Sequence, residues 1–164
     1  MDESRVPRFG ARGEGWTLAQ VVLMFSIVVV AWRASPAPPA TIVELALRIL
    51  GLVGVLAGLA LILVSSHVLR LAGSFSTLPR PLESGRLVEA GPYGLIRHPI
   101  YAGLVLAGTG VALYRVSIAV AVLTVALAIV LDLKRRREEA WLVNRFPGYG
   151  EYRNRTKALV PFVY

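Results

Sequence analysis

No cysteine occurs anywhere in the 164 residues. That excludes disulfides, a thiolate nucleophile and any cysteine-ligated zinc or iron–sulfur centre. Acidic residues are few, 10 against 18 basic ones, and the chain has only 2 histidines. There is no phosphate-cradling glycine loop, no G-x-S-x-G, no H-E-x-x-H and no aspartate cluster, so NTPase, serine-hydrolase and metal-hydrolase chemistry lack their signatures and no metal is expected. The apolar blocks are almost free of ionisable side chains, which argues against an ion or proton pathway.

What the chain does have is apolar residues. They make up 55% of it, give a mean hydropathy of +0.62, and fall in long blocks rather than amphipathic stripes. Membrane spans account for that better than one soluble core. The net charge of +8 comes almost wholly from arginines outside the blocks. In a soluble protein this balance would suggest nucleic acid, but here basic loops facing anionic headgroups suffice, so the expected partners are membrane lipids. The Arg-, Ala-, Val- and Gly-rich composition points to a GC-rich bacterial genome and hence to a bacterial cytoplasmic membrane.

Four segments are predicted to span. The first, 16–32, has a tryptophan at each end and no small-residue cleavage site, so it is expected to stay as a span behind the polar tail 1–15. A proline-rich break at 35–39 leads to the second, 42–65, and the pair reads as a helical hairpin. Residues 66–99 form a long, turn-rich loop carrying Arg70, Arg80, Arg86 and Arg97. The third and fourth segments, 100–114 and 116–133, are separated only by Arg115 and read as a tight hairpin. The C-terminal part, 134–164, opens on Lys134-Arg135-Arg136-Arg137-Glu138-Glu139, and Trp141, Leu142, Val143 and Phe146 then suggest an interfacial helix continuing from segment four. The expected fold is therefore all-α: one polytopic membrane domain of four transmembrane helices plus a C-terminal interfacial helix. The arginines place both termini and the middle loop in the cytoplasm. Oligomeric state is not legible.

Within segment two, Gly51, Gly54 and Gly58 suit close helix approach, with packing inside the chain preferred over a dimer motif. Glu44 and Arg48 are spaced for an ion pair, and His67 reads as a boundary residue.

The two richest polar stretches, 91–101 and 134–152, lie at opposite ends of the last hairpin, which returns them to each other. The first contains Gly91-Pro92-Tyr93-Gly94-Leu95-Ile96-Arg97-His98-Pro99-Ile100-Tyr101-Ala102-Gly103. It resembles the G-P-Y-x-x-x-R-H-P-x-Y-x-G signature of isoprenylcysteine carboxyl methyltransferases and related phospholipid methyltransferases. The second, Glu138-Glu139-x-x-Leu142 with Phe146, Tyr149, Tyr152, Thr156 and Pro161, is similar to the family's acidic element, although its tyrosines fall one residue early. Residues 71–77 are weakly similar as well.

The resemblance implies methyl transfer from S-adenosylmethionine to a lipophilic acceptor, a small molecule or a prenylated or lipid substrate, on the cytoplasmic face. It implies Arg97, His98 and Glu138 as catalytic residues, and Gly91, Tyr93, Arg97, His98, Tyr101, Gly103, Glu138 and Glu139 as the cofactor site. These residue types suit a ligand with a sulfonium, an ammonium, a carboxylate and ribose hydroxyls. Pro99 at a helix start would aim backbone N–H groups at the carboxylate. Taken alone, His98 is a plain interfacial histidine, Glu138 and Glu139 pair with Lys134 and Arg135, and Arg135–Arg137 mark topology. A carboxylate acceptor would need no base, whereas an amine would need Glu138, Glu139 or His98 to take its proton. The competing expectation is a non-enzymatic membrane scaffold or transporter subunit.

Overall fold

The computed structural model describes residues 9–10, 13–33, 38–76 and 85–160. Arg5, Arg8 and Arg12 of the tail, most of the proline-rich break, Thr77, Arg80 and Pro161 lie outside them.

The described residues form five α-helices and no strand: α1 (Glu14–Arg33), α2 (Ile42–Leu71), α3 (Pro99–Arg115), α4 (Ile118–Arg145) and α5 (Tyr149–Arg155). A short 3-10 turn, Gly91–Gly94, precedes α3. α1 and α2 are long and apolar enough to cross a bilayer, and their large side chains, such as Phe25, Trp32 and Leu63, face outward as lipid would require. The chain is therefore a membrane protein.

Local chemistry sets the ends. The side chain of Thr41 accepts from the backbone N–H of Glu44, opening α2, and Ser117 does the same for Val120 at the start of α4. Between α3 and α4 the chain turns through Val116, whose left-handed φ of 47° closes the tight hairpin.

The expected pairing of the first two helices is corrected. α2 packs chiefly on α3 and α1 on α4, rather than α1 and α2 on each other. The reason is the small-residue stripe. Added to Gly58, a Cβ would lie 2.6 Å from the backbone of Gly103 and Ala107; added to Gly110, it would lie 2.6 Å from the carbonyl of Gly51. The glycines let the two backbones nearly touch, and they serve packing within the chain. α3 then packs on α4, with Gly108 against Thr124, around a core of Ile27, Ala112, Val120, Leu127 and Leu131.

One boundary also moves. α2 runs on to Leu71, past the expected end at Ser65, and carries an exposed His67 on its extra turn. The expected continuation of the fourth segment into the C-terminal helix is present: α4 shows no break at residue 133, and the apolar half and the basic run are one helix. Lys134, Arg135 and Arg137 are buried rather than displayed to headgroups. Asp132 holds Arg135 and Arg136 at 2.6 and 2.7 Å, and the Arg137 guanidinium lies 4.8 Å from the Trp141 ring centre.

Candidate active site

The 3-10 turn opens on Gly91 at φ +59°, a conformation in which a side chain is strained, and this delivers Tyr93 into the interior. The hydroxyl of Tyr152 donates to the Tyr93 carbonyl at 2.7 Å, tying the turn to α5. Beyond α5 the chain runs back alongside it: Arg97 N–H donates to the Lys157 carbonyl at 2.8 Å and His98 N–H to that of Ala158 at 3.1 Å. With the backbone fixed on that side, the side chains of Arg97 and His98 turn toward α4.

There they meet Glu139. Its Oε1 accepts from Arg97 Nε at 3.0 Å and lies 3.1 Å from His98 Nε2, with Arg135 Nη1 at 3.6 Å. Burial would raise the Glu139 carboxyl, but the hydrogen bond and charge of His98 and the Arg97 guanidinium outweigh it and hold it at about 2. An ionised carboxylate only accepts, so Nε2 of His98 carries a proton. Arg97 Nη1 donates further to the carbonyls of Arg153 and Thr156.

Glu138, the next residue, points elsewhere. Its Oε2 accepts from the Tyr101 hydroxyl at 2.9 Å and lies 3.8 Å from His98 Nδ1, while the rings of His98 and Tyr101 stack at 5.4 Å. Successive helical residues point about 100° apart, so one carboxylate braces from within while the other faces a cavity.

That cavity is a cleft of about 370 Å³. Tyr93, Arg97, His98, Tyr101 and Glu138 all line it, so the structure brings five of the eight residues singled out from the sequence to one place. Glu139 sits behind the wall. Gly91 and Gly103 do not line it: the first shapes the turn, and the second is buried against α2, where an added Cβ would lie 2.7 Å from Ile62. Phe146, Tyr149 and Tyr152 close the cleft from the α5 side, and Ser74, Phe75 and Ser76 of the weakly similar stretch line it too. Tyr149 is 1% exposed, and its hydroxyl has no partner among the described residues. Burial pushes its hydroxyl pKa up.

The sequence reading missed three polar residues of the lining. Thr17 and Gln20 of α1 line the cleft, and so does Lys134, whose Nζ donates to Gln20 Oε1 at 2.8 Å and lies 5.4 Å from the Tyr101 ring centre. Burial lowers the Lys134 pKa against the opposing charge of Glu138. Thr17 and Gln20 interrupt an otherwise apolar block with polar side chains, and Lys134 precedes Glu138 by one turn; those are the signals the sequence offers. Ile62 and Leu69 of α2 add an apolar side, with Ser66 beside them, so the start of α1, the end of α2, the start of α3 and the far half of α4 meet at one end of the bundle.

The family model for phospholipid methyltransferases matches residues 46–148, more than half of the chain and most of the residues that line this cleft. The cobalt-zinc-cadmium resistance protein CzcN of Cupriavidus metallidurans is 39% identical over 80 residues, covering 48% of this chain and 37% of that protein. The nickel-cobalt-cadmium resistance protein NccN of Alcaligenes xylosoxydans xylosoxydans is 35% identical over 83 residues, covering 48% of this chain and 38% of that protein. The matched region thus spans well under half the length of these relatives.

Proposed function

The chain belongs to the phospholipid methyltransferase family, and from that membership and the cleft we propose that it transfers a methyl group from S-adenosylmethionine to a lipophilic acceptor. One observation carries the reading: two motifs some forty residues apart present Tyr93, His98, Tyr101 and Glu138 to a single aromatic-walled cleft. The buried, unpartnered hydroxyl of Tyr149 fits a polar ligand there.

When bound, the cofactor supplies a methyl group already attached to a sulfonium leaving group. The protein's task is then to bind and align. Glu138 would hold the cofactor's cationic groups, and Tyr93, Phe146 and Tyr149 would supply aromatic walls. His98 is locked by Glu139 and stacked on Tyr101, so its Nδ1 edge is presented in one orientation. Arg97, engaged by Glu139 and two carbonyls, acts as a positioning residue that holds the His98 loop. Gly91 and Gly103 support the site through turn shape and helix packing. Alignment of acceptor and methyl donor supplies the main rate advantage.

We place the cleft on the cytoplasmic face of a bacterial membrane, with α3 and the apolar half of α4 as third and fourth spans, both termini inside, and a lipid-soluble acceptor, as in isoprenylcysteine carboxyl methyltransferases. A phospholipid amine N-methyltransferase is the nearest alternative, and a non-catalytic scaffold the distant one. The metal-resistance names of the two relatives describe those proteins; among the described residues no group of three or more His, Asp or Glu side chains could hold a metal ion.

The test is calorimetric titration of the detergent-purified protein with S-adenosylmethionine and S-adenosylhomocysteine, beside folded His98→Ala and Glu138→Ala variants. Saturable binding weakened in both variants is expected. No binding by folded wild type, even in lipid, would replace this reading with the scaffold.

A further inference from the structure

We infer that the seam between α1 and α4 holds a phosphate-binding site outside the cleft, formed by the indole N–H of Trp16 and the guanidinium of Arg137. The inference does not rest on methyl transfer, since neither residue lines the cleft.

Both side chains are more than nine-tenths buried, Trp16 at 8% exposure and Arg137 at 7%. Yet Nε1 of the one and Nη1 of the other, both shielded from solvent, have no hydrogen-bond partner among the described residues. A buried N–H that donates to nothing costs free energy, and a guanidinium costs more when no anion answers its charge. Two such donors on adjoining helices mark a place for an acceptor.

Register brings them to one level. α1 and α4 run antiparallel: Gln20 meets Lys134 at 2.8 Å, while Ile27, further along α1, shares a core cluster with Leu127, further back on α4. Trp16 lies one turn before Gln20 and Arg137 about one turn after Lys134, so both stand about 5 Å beyond that link, toward the cleft end of the bundle. The i,i+4 and i,i+3 spacings keep each on the helical face of the linked residue. Glu139, two positions past Arg137, meets Arg97 on the far side of α4, so Arg137 is turned away from the support of the cleft.

The acidic side chains nearest in sequence are committed elsewhere. Asp132 holds Arg135 and Arg136, Glu138 accepts from Tyr101, Glu139 is engaged by Arg97 and His98, and the Glu14 carboxylate folds back against Gly10. The shape of the donors then selects the anion. The Trp141 ring, 4.8 Å from the Arg137 guanidinium, takes its face and leaves its N–H edge for an oxyanion that accepts two parallel hydrogen bonds.

A tryptophan at the end of an apolar helix stands at the depth of bilayer headgroups. Diffuse attraction to those headgroups does not account for an arginine turned inward, whereas one phosphate inserted between the helices does. Leu18 and Val22 of α1 and Val125 and Ile129 of α4 are exposed on the same two helices, a surface along which acyl chains lie. The partly exposed rings of Phe9, edge-on to Trp16, and Trp141, beside Arg137, rotate to admit the group. A phospholipid headgroup and free phosphate present the same oxygens, and the experiment separates them.

The experiment follows the thermal unfolding midpoint of the full chain in non-ionic detergent at neutral pH during titration with dihexanoyl-phosphatidylglycerol, with dihexanoylglycerol, which lacks the phosphate, and with inorganic phosphate. Wild type, Trp16→Phe, Arg137→Gln and, as an exposed arginine elsewhere, Arg155→Gln are compared. The phosphatidylglycerol is expected to raise the wild-type midpoint saturably, by about 5 °C, and dihexanoylglycerol to leave it unchanged. The rise should vanish in Trp16→Phe, which keeps an aromatic ring but no N–H, and in Arg137→Gln, and persist in Arg155→Gln. A matching rise with inorganic phosphate identifies the ligand as free phosphate, and its absence as a lipid headgroup. No rise with either phosphate, an equal rise with dihexanoylglycerol, or a rise that survives in folded Trp16→Phe overturns the inference, as does its loss in Arg155→Gln, which would mark general surface charge. If Arg137→Gln does not fold, Trp16→Phe decides alone.

Discussion

The carboxylate of Glu139 lies 3.0 Å from Nε of Arg97, joining residues 42 positions apart across the wall of the cleft, with exposures of 2% and 9% for the two side chains. Removing one partner of such a buried pair leaves the other uncompensated, at a typical cost of about 3–5 kcal/mol. Glu139→Ala should therefore lower the thermal unfolding midpoint in detergent sharply. Arg155 and Glu89 also pair, at 2.8 Å, but both side chains are well exposed, so Arg155→Ala should cost less than about 1 kcal/mol. Similar losses from the two variants would show that Glu139 is not a structural hub.

The same carboxyl sets an acid limit. Its ordinary value is 4.5 and the folded value is about 2, so the folded state binds this proton less readily than the unfolded chain does. The stabilisation is complete above pH 4.5 and is lost as pH falls toward 2. Chemical-denaturant midpoints between those limits should decline for the wild type and be flatter for Glu139→Gln.

Tyr101 reaches Glu138 through a single hydroxyl at 2.9 Å. Hydrogen bonds to charged groups contribute about 1.5–3 kcal/mol, so Tyr101→Phe should weaken S-adenosylhomocysteine binding about tenfold while leaving the fold intact. Calorimetry on the folded variant reads this directly, and unchanged affinity would separate Glu138 from the cofactor.

Glycine positions divide sharply. At Gly58 a Cβ would meet the backbone of α3 at 2.6 Å, and backbone cannot step aside as a side chain can. Gly58→Val should destabilise by about 1–3 kcal/mol or more through overpacking. Gly148 has nothing within 4 Å of the same position and a negative φ of −80°, so Gly148→Ala should be neutral. Unfolding midpoints of the two variants should differ by several degrees.

Much of this was legible in the sequence. The apolar blocks located the four long helices, because a helix that faces lipid is written as an unbroken apolar run, although α2 and α4 extend past their apolar stretches. The match of Gly91–Gly103 and Glu138–Glu139 to two family elements found the cleft. What was not legible depended on three dimensions. Neighbouring in sequence, α1 and α2 looked like a hairpin, yet the glycines of α2 select α3 as partner. Arg135–Arg137 looked like a topology signal because adjacent basic residues give no hint of which will be turned inward. Glu138 and Glu139 looked like one acidic pair, and only the direction of each side chain assigns one to the cleft and the other to its support. Gln20 has no meaning within its own apolar segment; its partner Lys134 lies more than a hundred positions later.

The unbroken course of α4 gives the cleft a fixed phase. Leu127 and Leu131 are locked in the bundle core, and Lys134, Glu138 and Glu139 follow on the same rigid screw. Inserting one residue just after Leu131 would rotate everything beyond it by about 100° and advance it by about 1.5 Å, carrying Glu139 away from Arg97 and swinging Lys134 off Gln20, although no residue had changed identity. The number of residues between the leucine layer and the carboxylates therefore works as an index mark, registering the chemistry of one end of the helix to the packing of the other.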